Sequence, residues 1–417
     1  MKLIKTSFYT SISTAVSFVS GFIVTKVVAV KIGPAGMSSV GQYQNTIGIL
    51  AMLSTLAVTA GVIKYLAEHR EQDQKKQQII STALIIILIS SFTISLFVLS
   101  AKNFLSTQVF KNDSFADVFF LYGFFICIIA VNTLVSAVYN GLKEIRYLTI
   151  VNIIASVSGI VFTVFFAYKM GVKGVLIASN FTALLVFVAN FIILKKKKCF
   201  QFKPSIANWN TGTAKLLLGF TVIGVVSGLV MPASQILIRS KIITSFSATE
   251  AGWWQAVTRI SDYYLAFITT VLSIYYLPRL SEIVDKAELR MELIKGYKII
   301  LPVVGILAGT IWVCRVWVVH ILFSKDFLPM IPLFTFQLLG DFFKIGSWLL
   351  GYVLIAKADI KLVIITEVLF SFSLVLLSYL LIRRYGVIGT TYAFCINYAL
   401  HWIAMIFITR KYFVDGK

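Results

Sequence analysis

The sequence predicts an all-α integral membrane protein of twelve transmembrane helices in two pseudo-symmetric six-helix lobes. Three observations predict it. First, 59% of the 417 residues are hydrophobic and only 13% are charged, against about 45–50% apolar and about 25% charged in a soluble chain. Second, the apolar residues fall into stretches of bilayer length. Third, the second half of the chain repeats features of the first at a fixed spacing. No water-soluble fold hides so much apolar surface, which excludes soluble enzymes, nucleic-acid binders and disordered scaffolds.

In chain order the apolar stretches lie near 8–30, 40–66, 79–101, 116–140, 147–168 and 174–194, then near 216–240, 250–277, 299–321, 329–356, 362–382 and 387–409. About 20 apolar residues suffice for a helix to cross a bilayer core roughly 30 Å thick. The first stretch follows Lys2 and Lys5 and mimics a signal peptide. It runs on to Val30, is rich in Ser and Thr and lacks a small-x-small cleavage site, so it is expected to be retained as a span. After the sixth stretch come Lys195–Lys198 and a polar segment. This linker, 195–215, is the expected boundary between lobes at 1–194 and 216–417. The four lysines suit either a stop-transfer signal or capture of anionic lipid head groups. Between spans eight and nine, residues 279–298 mix Leu289, Met291, Leu293 and Ile294 with both signs of charge, which predicts a short interfacial helix.

Charge sets the orientation. The chain carries 38 Lys and Arg against 17 Asp and Glu, a net charge of +21. In a soluble protein that balance would suggest nucleic acid. Here 24 of the basic residues fall on the side that holds both termini and nine on the other. By the positive-inside rule, both termini are cytoplasmic.

The repeat has an offset of 215. Gly171 and Gly174 map onto Gly386 and Gly389, Arg146 onto Lys361, Lys195 onto Arg410 and Lys26 onto Lys241. Tyr65-Leu66 resembles Tyr276-Leu277 at a slightly different offset. Six spans is an even number, so both copies share one topology and their pseudo-twofold axis runs along the bilayer normal. Parallel-repeat transporters are built this way.

Polar residues inside spans point to function. A charge at a helix centre costs roughly 2.5–3.5 kcal/mol to insert, so such residues face a cavity or a partner. In span eight, Gln255, Arg259, Asp262, Thr269 and Ser273 recur at helical steps. In span ten, Gln337, Asp341 and Lys344 do the same, with Gly351 further along, and span eleven adds Glu367. Each charged stripe has an acid and a base three residues apart, spaced to pair along the helix. The expectation is a cavity lining, and the alternative is two local ion pairs that merely let the helices insert. Arg315, between Trp312 and Trp317, is expected to snorkel to the interface, and Arg239 to do likewise at its span's edge. Lys26 lies about a turn from its span's end, opposite Thr10, Ser13, Ser17 and Ser20. The offset puts Ile126 and Ile129 where the second half has Asp341 and Lys344, so the expected cavity is charged on one wall only.

Other chemistries leave no trace. Cys127, Cys199, Cys314 and Cys395 show no C-x-x-C spacing, and His69, His320 and His401 are scattered, so no disulfide or metal site is expected. There is no phosphate-binding loop motif for ATP. The longest loop on the far side, about 102–115, is small for a polymerase or transferase centre.

Several segments resemble the Wzx-type polysaccharide translocases, which serve O-antigen and enterobacterial common-antigen synthesis. These are Gly33-Pro-Ala-Gly, Ser261-Asp-Tyr-Tyr-Leu-Ala-Phe-Ile-Thr, Tyr276-Leu-Pro-Arg-Leu-Ser, Gln337-Leu-Leu-Gly-Asp-Phe-Phe-Lys, Gly351-Tyr-Val-Leu-Ile-Ala-Lys-Ala and Thr366-Glu-Val. Asp262, Asp341, Lys344 and Glu367 match that pattern, and Arg259 departs from it. The resemblance implies the multidrug/oligosaccharidyl-lipid/polysaccharide exporter superfamily, in which two six-helix lobes form a V-shaped central cavity. It implies a flippase that moves an undecaprenyl-pyrophosphate-linked oligosaccharide from the cytoplasmic to the periplasmic leaflet of the bacterial inner membrane by alternating access.

On that reading Lys344, Arg259, Lys26, Arg239, Gln255 and Gln337 would bind pyrophosphate and sugar. Asp262, Asp341 and Glu367 would form charge pairs and couple transport to a proton or Na⁺. No cofactor, metal or nucleic acid is expected, and the chain is expected to act as a monomer. Its expected partners are membrane lipids, a polysaccharide polymerase and a chain-length regulator. Lysine outnumbers arginine 28 to 10, which suggests AT-rich coding DNA and favours an O-antigen unit over the common-antigen unit. The alternatives are a common-antigen flippase, a drug/cation antiporter of the same superfamily, or a membrane polymerase. An antiporter would want a mainly acidic cavity, and a polymerase would need essential groups in its outer loops.

Overall fold

The computed structural model describes residues 2–196 and 208–413, and the described residues are helical with short connections. Packing divides the chain into two compact units. One comprises residues 1–32 and 39–232, and the other comprises 33–38 and 233–417.

The first unit holds α1 (Lys2–Thr55), α2 (Thr59–Glu68), α3 (Asp73–Ser100), α4 (Lys102–Phe110), α5 (Ala116–Gly141), α6 (Ile145–Lys196) and α7 (Thr211–Leu218). The helix α8 (Thr221–Ser245) passes from this unit to the second at Pro232. The second unit continues with α9 (Ala248–Val271), α10 (Leu277–Glu282), α11 (Lys286–Val313), α12 (Arg315–Leu322), α13 (Leu333–Ala356), α14 (Ile360–Tyr385) and α15 (Ile388–Thr409).

Among the described residues, eight helices are long and apolar enough to cross a membrane. Two of these, α1 and α6, each cover two predicted spans across a glycine break. Gly33 takes φ 64° in α1 and Gly171 takes φ 57° in α6. The polar stripe of α9, which covers predicted span eight, keeps that helix outside the set. Large apolar side chains such as Phe92, Ile306, Phe372 and Phe407 are exposed, as expected of a surface that faces lipid.

The internal repeat is written into the backbone. Gly386, 215 residues after Gly171, ends α14 with φ 68° and ψ −154°. That region suits glycine, because a Cβ would clash there. Three residues on, a Cβ at Gly174 would sit 2.0 Å from the Phe166 carbonyl oxygen, and one at Gly389 would sit 2.4 Å from that of Leu381. In each pair the first glycine turns the chain and the second lets the next helix pack back on it. Lys143 and Ala358 repeat another left-handed turn, and both follow a helix whose last carbonyls they satisfy. The helices α3 and α11 have 28 residues each and are followed by matching short helices, α4 and α12.

Some boundaries differ from the sequence expectation. Predicted span two is broken at Leu56 and Ala57, both of positive φ, so α1 ends at Thr55 and α2 restarts at Thr59. The region 279–298 is not a separate interfacial helix. Its first residues complete α10, and Lys286 onward forms the first turns of α11, capped by Asp285. The change of unit falls at Pro232, later than the expected linker, because α7 packs against α2 and α3. Leu217 touches Gly61, and the Asn210 backbone amide donates to Thr82. Of the linker itself, residues 197–207, including Lys197, Lys198 and Cys199, lie outside the described residues.

The first unit's core gathers Val62, Leu66, Ile80, Ile87, Leu134, Val138 and Leu217. Polar links join α5 to α6: the Asn190 amide donates to Asn132, whose own amide donates to the Ala183 carbonyl. In the second unit, α13 is innermost and packs on α9, α10, α11, α14 and α15. At one end of that unit, Lys357 Nζ donates to the Ile283 carbonyl. Asp359 caps α14 and accepts from Lys411 Nζ and Tyr412 Oη, each at 2.7 Å. The Lys411 and Tyr412 hydrogen bonds hold the Asp359 carboxyl down to about 2.

Candidate functional site

The polar stripes of α9 and α13 meet inside the second unit. Asp341, on α13, is fully buried, and its Oδ2 accepts from Ser261 Oγ at 2.6 Å and Tyr264 Oη at 2.8 Å, both on α9. Among the described residues, its Oδ1 finds no hydrogen-bond partner. Hydrogen bonds to a charged group contribute roughly 1.5–3 kcal/mol, so this clasp is a strong tie between the two helices. Ser261 and Tyr264 were absent from the expected site. They sit at i and i+3 on α9, a spacing readable from sequence, although hydroxyls on an apolar helix rarely signal a carboxylate partner.

Lys344 lies one turn beyond Asp341 and is also buried. Its ammonium forms no ion pair with a described residue. It rests instead 4.8 Å from the Trp348 ring centroid, 5.5 Å from that of Tyr398 and 5.7 Å from that of Phe394. Close packing of α13 on α15 builds this aromatic box. A Cβ at Gly340 would lie 2.4 Å from Phe394, and one at Gly346 would lie 2.6 Å from Trp402. Two bare glycines thus let the α15 aromatics reach the lysine. Behind them, Trp402 stacks on Tyr297, whose hydroxyl donates to the Gly346 carbonyl.

The alternative reading of two local ion pairs fails on α13. Asp341 turns to α9 and Lys344 to the rings. The Asp262 side chain is exposed, and the charges that act on it are Lys344 and Arg259. Tyr398 collects the rest of the cluster, since its phenol feels Lys344, Asp341, Asp262 and Glu367. Glu367 and Arg259 are half-buried, and Gln337 is buried on α13.

Arg239 overturns its expectation. It is completely buried rather than snorkelled, with Nη2 donating to Gln255 Oε1 and the guanidinium 5.3 Å from the Trp254 ring centroid. The Gln255 amide and the Trp254 indole face offset part of the cost of taking the guanidinium out of water. Arg315 keeps close to its expected place, with its guanidinium on Trp312 and Nη1 donating to the Trp312 carbonyl. Lys26, on α1 of the first unit, is half-buried. Ser13 and Ser20 of its helix are buried, and Ser17 bonds Ser156 on α6. The structure therefore gathers Asp262, Asp341, Lys344 and Glu367 around Tyr398, joins Arg239 to Gln255, and leaves Lys26 in the other unit. Among the described residues, no group of three or more metal-ligating side chains occurs.

This arrangement can hold an anion. Its cation is a buried ammonium with no ion pair among the described residues, set beside hydroxyls and amides. Residues 3–284 match the model of a family described as polysaccharide biosynthesis protein. The chain is 30% identical over 404 residues to the lipid III flippase of Escherichia coli (strain K12) and, equally, to that of Shigella flexneri. Each match covers 96% of this chain and 97% of the relative. It also superposes, with a TM-score of 0.80 at 15% identity, on a multidrug-resistance MATE-family transporter of the MOP superfamily solved inward-facing. That match covers 95% of this chain and 94% of the transporter.

Proposed function

Because the chain belongs to the polysaccharide biosynthesis protein family, we propose that this multi-pass membrane protein is a flippase for a lipid-linked oligosaccharide. The substrate would be an undecaprenyl-pyrophosphate-linked unit, carried from the cytoplasmic to the periplasmic leaflet of a bacterial inner membrane by alternating access. Transfer between leaflets makes and breaks no covalent bond, so no enzymatic step is proposed.

One observation carries the reading most directly: Lys344 is buried and positively charged, and its ammonium rests on aromatic rings without an ion pair among the described residues. A charge desolvated in this way is costly and persists where a ligand of opposite charge supplies the compensation. Pyrophosphate is such a ligand. The sugar would meet the neutral polar groups of the same helices, Gln337, Ser261 and Tyr264, while the polyprenyl chain stays in lipid.

Two sugar classes remain within this proposal. The lysine-rich composition favours an O-antigen unit, whereas the sequence relatives are lipid III flippases and make the common-antigen unit the nearer match. Expression in two strains, one lacking the O-antigen flippase and one lacking the common-antigen flippase, decides between them. Restored surface polysaccharide in either strain supports the flippase reading and names the unit. Failure in both, with the protein correctly inserted, contradicts it.

A further inference from the structure

Resting on the reading of Lys344 as the pyrophosphate ligand, we infer that Trp348, Phe394 and Tyr398 form a berth that keeps the Lys344 ammonium available to the substrate. These are positioning residues that act through Lys344.

The argument begins with what the lysine could do instead. Asp341 lies one turn away on α13, and its Oδ1 is buried with no hydrogen-bond partner among the described residues. Asp262 is a second acid acting on Lys344. An ammonium that collapsed onto either would form a buried ion pair, and parting such a pair costs about 3–5 kcal/mol. A lysine held that way would be a poor anion ligand. The three rings offer another resting place. Ring faces attract a cation by about 0.5–2 kcal/mol, enough to hold a four-carbon chain in one position and little enough to release it to a pyrophosphate.

Geometry supports the division of labour. The Oδ2 of Asp341 is tied to α9 by Ser261 and Tyr264, so that oxygen is already taken up by hydroxyl donors. Gly340 and Gly346 bring α15 close enough for Phe394 and Tyr398 to complete the box. Lys344 therefore rests on ring faces, with Asp262 and Asp341 acting on its charge but not paired with it. An arriving anion would draw the ammonium off the rings without breaking an ion pair.

The test uses purified full-length protein in lipid nanodiscs with undecaprenyl pyrophosphate as the probe. Trp348→Leu and Tyr398→Leu are expected to weaken binding about tenfold, and Tyr398→Phe, which keeps the ring, to bind as wild type does. Adding Asp341→Asn to Trp348→Leu is expected to restore affinity, because the competing carboxylate is gone. A merely structural role for the rings predicts no such rescue. The second readout is tryptophan emission. The component lost in Trp348→Phe should change when the probe binds to wild type, and should stay constant in Lys344→Met. Unchanged affinity in both leucine variants, absence of rescue, or a Trp348 signal blind to the probe overturns the berth. If any leucine variant fails to fold, the emission measurement on wild type and Trp348→Phe still decides. Lack of binding by wild type, or full binding by Lys344→Met, instead overturns the underlying reading of Lys344, and the berth with it.

Discussion

Asp341 and Lys344 stand one turn apart on α13 and do not pair. The carboxylate bonds Ser261 and Tyr264 across to α9, and the ammonium lies against Trp348, Tyr398 and Phe394. An i, i+3 acid and base on a helix surface usually attract each other modestly, by about 0.2–0.5 kcal/mol. Here tertiary partners outweigh that local attraction and leave a charged pair with separate tasks.

The first prediction concerns transport. Lys344→Ala should abolish surface polysaccharide while the protein still inserts at normal levels. Lys344→Arg should retain part of the activity, because the contact needs charge more than shape, although the longer guanidinium fits the aromatic box differently. Complementation with quantified membrane expression provides the check, and wild-type polymer from Lys344→Ala would refute the assignment.

Asp341 offers a test of coupling. Its clasp on α9 can open only if the carboxylate loses the Ser261 and Tyr264 hydroxyls, and a proton or Na⁺ taking their place would tie opening to an ion. Asp341→Asn should hold one state and reduce flipping at least tenfold, and Ser261→Ala with Tyr264→Phe should loosen the same tie. Proteoliposomes with imposed ΔpH or Na⁺ gradients read this directly. A rate indifferent to both gradients removes Asp341 from coupling.

Arg259 and Asp262 give a third. If each acts on the substrate by itself, Asp262→Ala should not rescue Arg259→Ala. Arg259→Ser should lower transport of every lipid-linked unit if the guanidinium touches pyrophosphate. If it touches a sugar, transport of the native unit alone should fall. Rescue by the double variant would show that the two residues act as a pair after all.

At the far end of the second unit, Asp359 predicts a pH dependence of stability. Its carboxyl is held down to about 2 by Lys411 and Tyr412, against roughly 3.9 in an unfolded chain. A lowered folded value means the contribution is complete above about pH 4 and is lost as pH falls towards 2. Thermal unfolding in detergent should therefore drop across that window, and less steeply in Asp359→Asn. Identical profiles for the two proteins would show that the Asp359 clasp does not contribute.

Much of this architecture is legible in the sequence, for physical reasons. Spans are long runs of one solvent preference, and the glycines at 171, 174, 386 and 389 mark positions where the backbone admits no Cβ. The charged members of the site were visible because charge inside a span is rare. Its aromatic half was not. Trp348, Phe394 and Tyr398 look like ordinary span residues until α13 and α15 approach at Gly340 and Gly346. Partners were equally hidden: spacing put Asp341 and Lys344 in reach of each other, and only tertiary packing gave the acid to α9. The break at Leu56 and Ala57 also escaped, since neither residue type favours positive φ and only the surrounding packing imposes it.

The most direct test of the central claim is the lipid pool of a deletion strain. Cells lacking this protein, with synthesis of the repeat unit intact, should accumulate a single undecaprenyl-pyrophosphate-linked oligosaccharide confined to the cytoplasmic leaflet, with no polymer at the surface. Reintroducing the wild-type gene should clear the pool, and Lys344→Ala should not. Normal polymer with no accumulated intermediate, or an intermediate already on the periplasmic leaflet, would contradict the flippase account.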